Sequence, residues 1–111
     1  MNVHDAIALA RLAPSYANRP GTSVIHDSDD ARLVLFRIAP SQKVAVHTSP
    51  STVILTVLAG SGLVSGGEEE QEVTAGDVAT LAPGEPHGMR AVSEEMVILA
   101  AITPRPGTRK A

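Results

Sequence analysis

The chain is written in short aliphatic and β-branched runs, separated by glycine, proline and small polar residues. Arg32 to Ala39 (RLVLFRIA) is the clearest. It lies between the polar turn Asp27, Ser28, Asp29, Asp30 and the pair Pro40-Ser41, and predicts a strand. Lys43 to His47 and Thr52 to Ala59 follow as strands, with Thr48 to Ser51 as the loop between them. Leu63 to Ser65 and Glu70 to Thr74 flank Gly66-Gly67, a hairpin signal. Asp77 to Leu81, His87 to Val92 and Met96 to Ile102 complete the set, with turns at Pro83-Gly84 and Ser93-Glu94, and Thr22 to His26 is a short β-prone run near the start. Only Asp5 to Leu12 reads as helix. Val3, Ile7, Ala8 and Leu12 share one side of it, Pro14 ends it, and it is expected as an arm outside the core. Eight or so short strands with regular turn signals predict an all-β sandwich or barrel. The expected division is an arm with a first short strand over 1–30, a barrel over 31–103 and a loosely held terminus over 104–111.

Strand parity sorts the faces. Stepping by two from position 53 turns Val53, Leu55 and Val57 inward and Ile54, Thr56 and Leu58 outward; the same step from His87 turns Met89 and Ala91 inward. Val53 to Leu58 and Met96 to Ile102 are nevertheless apolar on both faces, so their outer side needs a cover. With no spare helix to supply it, the expected cover is a second copy of the chain, making a homodimer.

Composition narrows the functions. A chain of 111 residues supports one core, and one Phe, one Tyr and no Trp leave its packing to Val, Leu, Ile and Ala. A net charge of −3 and so few rings argue against nucleic acid as a partner. The absence of cysteine leaves His, Asp and Glu as the plausible metal ligands. No run has the length of a membrane span, and the first residues lack the charge pattern of a signal peptide, so a cytoplasmic protein with no membrane partner is expected. Asp27 to Asp30 lacks the glycine and distal glutamate of a calcium loop and reads as a solvated turn; Glu68, Glu69, Glu70 and Glu72 read as a charged hairpin tip. His4 and His26 read as surface residues. His47 ends one strand and His87 begins another forty positions later, so two imidazoles can meet at the mouth of a roll, to bind a divalent metal or orient a ligand.

These residues resemble the cupin superfamily over Val34 to Ile102. His47 matches the first histidine of that family's first motif and Gly60 its closing glycine, with Pro40-Ser41 where the family has Pro-Gly; Gly76, Gly84 and His87 match the second motif, in which Ala82 takes the proline position and Pro83 follows it. The resemblance implies a double-stranded β-helix, or jelly-roll barrel, with a metal held by three histidines and a glutamate. Ser49 stands at the second histidine position and Val53 at the glutamate position, leaving His47 and His87 of the usual four. Glu85 is close in sequence, but in this motif it belongs to the turn. Three roles for the two histidines stay open: relics bonded to Ser49, Thr52 or backbone; a weak site for a divalent transition metal (Zn, Ni, Cu, Fe or Mn) completed by water; or a metal-free pocket in which an imidazole bonds a small polar ligand. His47, Ser49, Val53, Leu55, His87 and Met89 are the candidate lining. The matching functions are a small-molecule-binding cupin with a degenerate site, a metal-dependent dioxygenase or isomerase using His47 and His87, and a dimerisation module. The residues name no catalytic group beyond the histidine pair, and no substrate.

Overall fold

The computed structural model describes residues 1–107. In chain order these hold α1 (Ala6–Leu12), β1 (Gly21–Asp27), β2 (Arg32–Ile38), β3 (Lys43–His47), β4 (Thr52–Ala59), β5 (Ser61–Gly66), β6 (Glu69–Thr74), β7 (Val78–Leu81), β8 (His87–Ala91) and β9 (Met96–Thr103). The strands form two antiparallel sheets, one ordered β1-β2-β9-β4-β7 and the other β3-β8-β5-β6. The barrel expected from the sequence is thus a two-sheet jelly roll. No ladder joins the sheet edges among the described residues.

The predicted parity holds in the core. Val53, Leu55 and Val57 of β4 are buried in one cluster with Ile38 of β2 and Met96, Ile98 and Ala100 of β9 from the same sheet, and with Met89 and Ala91 of β8 from the opposite sheet. Aliphatic interdigitation of this kind contributes ~1.5–3 kcal/mol per buried side chain. The turn after β5 falls one residue later than the glycine pair predicts. Gly66 closes the β5 ladder opposite Glu69, and Gly67 and Glu68 make the turn. Glu70 beside it is tied to Arg90, whose guanidinium holds the carboxyl below its ordinary range.

The N-terminal arm differs from expectation. Asp5 caps α1 by accepting the Ala8 N–H, as an N-cap carboxylate should. The inward side of the helix is Ala6, Leu9 and Ala10, spaced i, i+3, i+4, whereas Leu12 and Val3 face solvent and Ala8 is exposed. Small alanines let the helix lie close on the sheet, so the large apolar residues were the wrong guide to its buried face. Ala10 is fully buried against Leu35 and Val97, with Leu58 and Leu99 packed around it. The cover expected from a second copy is therefore supplied, over this part of the outer face, by the chain's own helix. Among the described residues no helix is long and apolar enough to cross a membrane.

The terminus expected to be loose is held as far as it is described. Ser51 Oγ donates to the Pro104 carbonyl, and the Arg105 N–H donates to the Asp29 carbonyl. Arg105 Nε also lies 3.1 Å from Asp27 Oδ1, an ion pair without hydrogen-bond alignment. Residues 108–111, the rest of that expected segment, lie outside the described residues. Asp27 is held below its ordinary value of 3.8, chiefly by the hydrogen bonds from Arg32 and also by the charge of Arg105. A depressed carboxylate stabilises the fold above its unfolded value, and this contribution is lost as pH falls through the folded value. Urea midpoints should therefore favour the wild type over Asp27→Asn at about pH 7, and the gap should narrow progressively as the pH is lowered below the ordinary value of 3.8. A gap unchanged at acid pH would show that the ion pairs contribute nothing.

Candidate functional site

His47 and His87 are cross-strand partners on β3 and β8, and a local irregularity makes them so. Val44 pairs with Met89, but the next partners are His47 and His87: three steps on β3 against two on β8. The extra residue is a β-bulge. In an unbroken ladder, Val46 would oppose His87. Gly88 lets the bulged strand come close, since a Cβ there would lie 2.9 Å from the Val44 carbonyl oxygen and 3.1 Å from the Val46 nitrogen. The two rings end with centroids 4.4 Å apart and planes tilted by 58°.

Both imidazoles are oriented in the same way. Nδ1 of His47 lies 2.9 Å from the Ala45 carbonyl oxygen and Nδ1 of His87 lies 3.0 Å from that of Glu85. A carbonyl can only accept, so Nδ1 carries the proton in each neutral ring and Nε2 keeps its lone pair. Among the described residues neither Nε2 has a hydrogen-bond partner. His87 is only 3% exposed, while His47 sits at the rim.

The histidines share a cavity of about 210 Å³ between the two sheets. The six residues expected as its lining all border it: His47, Ser49, Val53, Leu55, His87 and Met89. Phe36, Thr48, Pro50, Ala100, Ile102 and Pro106 complete the wall and were not anticipated. Phe36, Ala100 and Ile102 obey the same two-residue step as Ile38 and Ile98, so parity could have found them. Pro106 had no local signal, because it reaches the wall through the contacts of Pro104 and Arg105 described above. Ser49 Oγ accepts the Ser51 N–H and retains its own proton for donation.

Other candidates lie elsewhere. Glu85 accepts the Ala82 N–H in the turn before β8 and borders a separate acidic cleft with Glu69, Glu70, Glu72 and Asp77, which neither histidine lines. His26 is exposed and bonded to Ser28 Oγ, and His4 is exposed.

A sequence profile described as the cupin domain matches residues 34–103. The chain belongs to the cupin family. Protein TT1209 of Thermus thermophilus is 30% identical to this cupin, covering 96% of this chain and 100% of that one, with a TM-score of 0.84. An uncharacterised conserved protein with a double-stranded β-helix domain from Klebsiella pneumoniae subsp. pneumoniae MGH 78578 is 21% identical over 98% and 94% of the two chains, with a TM-score of 0.85. The DMSP lyase DddQ of Ruegeria pomeroyi DSS-3 is 18% identical over 92% of this cupin and 56% of the lyase, with a TM-score of 0.72. The last two likenesses concern the fold alone. No curated protein matches the sequence.

The donor set does not fit the four-ligand metal centre of the family. Among the described residues no group of three His, Cys, Asp or Glu side chains is placed to hold one ion. Val53, 3% exposed and bordering the cavity, puts a branched aliphatic group where this cupin would need a carboxylate.

Proposed function

We propose that this cupin binds a small molecule in the cavity between its sheets and reads it directly with His47 and His87. The carrying observation is the pair of oriented imidazoles, each with an unpartnered Nε2 among the described residues, in a cavity whose other walls are mostly apolar, with Thr48 and Ser49 as the further polar side chains. Few polar groups converging on an apolar hollow is the usual make-up of a small-molecule site. The same unpartnered nitrogens favour a second reading, in which the pair holds Zn(II) or Ni(II) weakly with water completing the coordination. A dioxygenase or isomerase mechanism needs more ligands than the described donor set offers.

A thermal-shift panel of small metabolites, run with a chelator present, tests the first reading. At least one compound should raise the midpoint by a few degrees, since a ligand at tenfold its Kd adds roughly 1.4 kcal/mol. His87→Ala should remove most of that shift. A shift that needs added metal would favour the second reading, and no shift in the whole panel would refute the first.

A further inference from the structure

Resting on that reading, we infer that the ligand is a compact apolar molecule carrying a neutral hydroxyl donor, of the kind a phenol or a short alcohol presents. Size comes first. A dry cavity near 150 Å³ accommodates benzene, so the 210 Å³ here takes a body only slightly larger, about seven to nine heavy atoms. Its walls, Phe36, Val53, Leu55, Met89 and Ile102 among them, demand an apolar body.

The polar end then selects the head group. Both Nδ1 atoms are engaged with backbone carbonyls, so in the neutral rings the pair offers two acceptors and no donor. His87 is 3% exposed and borders the cavity, so a ligand that fills the cavity displaces solvent from the unpartnered Nε2, a loss that only a donor can offset. No Lys, Arg, Asp or Glu is among the described lining residues, so no side-chain cation offsets a carboxylate and no side-chain anion offsets an ammonium. A carboxylate would also face the two lone pairs. A hydroxyl donates to Nε2 and accepts in turn from Thr48 or Ser49, whose hydroxyls are the donors at that end. An ether of the same shape lacks the proton and leaves His87 unpaired.

Calorimetric titration of the full chain at pH 8, with chelator, compares three probes: phenol, its methyl ether anisole, and benzoate. Phenol should bind about tenfold or more tightly than either of the others, the loss expected when a buried acceptor goes unpaired. In a sample labelled with ¹⁵N at histidine, phenol should also shift the Nε2 resonance of His87 and leave Nδ1 in place. Anisole or benzoate binding as tightly as phenol would overturn the inferred head group while leaving the cavity as a ligand site. Binding of none of the three would overturn the inferred class, and the metabolite panel with His87→Ala separately decides whether the cavity binds anything.

Discussion

Val53→Glu should make the stability of this protein depend on Mn(II) or Fe(II) far more strongly than that of the wild type. Val53 borders the same cavity as His47 and His87 and is 3% exposed, so a carboxylate built there joins the two imidazoles in a confined space. Without metal, that carboxylate is buried beside lone pairs and no cationic side chain. The fold should lose about 3 kcal/mol, with the new carboxyl driven towards its neutral form. With Mn(II) or Fe(II), two histidines and a carboxylate make the facial set suited to those ions. Metal at a hundred times its Kd returns about 2.7 kcal/mol, a rise in melting midpoint on the order of ten degrees for a domain of this size. Thermal melts of wild type and Val53→Glu, each with and without Mn(II), measure this directly, and Val53→Asp provides a shorter carboxylate should the longer one not fit. An equal response from the wild type would mean that two histidines and water already suffice. No response from either variant would mean that position 53 does not face the imidazole pair.

The residue that separates this chain from the metal-holding pattern was visible without any structure. Periodicity was enough to turn Val53, Leu55 and Met89 inward, because a strand has only two faces and the core chooses one. What periodicity could not supply was the meeting of His47 with His87. That depends on one extra residue between Val44 and His47, and on Gly88 lacking the side chain that would hold the bulged strand away. Both are properties of the pairing between strands far apart in sequence. The wall at Pro106 was hidden for a related reason: two prolines and a glycine make the segment look unstructured, whereas its position is set by Ser51, Asp27 and Asp29. Helix α1 was legible as a helix but not by its face, since alanine contributes little to a pattern of large apolar residues and much to close packing.

Gly60→Ala should be among the most damaging single-methyl changes in the chain. Gly60 alone links β4 in the five-stranded sheet to β5 in the four-stranded sheet, with φ at +75°, and its carbonyl accepts the Ala75 N–H. The left-handed conformation costs any other residue about 1–2 kcal/mol. A Cβ at this corner would also overlap the backbone carbonyl oxygen of Glu95, which cannot swing away as a flexible side chain would. The overlap adds about 1–3 kcal/mol, so the expected loss is roughly 2–5 kcal/mol, a large share of the stability of a small domain. Gly76 separates the two contributions. Its φ is +97°, yet a Cβ there meets nothing within 4 Å, so Gly76→Ala should cost only the conformational part. Urea unfolding should move the midpoint by about 2 M for Gly60→Ala and by less than half of that for Gly76→Ala. Equal shifts would show that the chain relaxes around the new methyl group and that the corner between the sheets is not held by the close approach of Gly60 to Glu95.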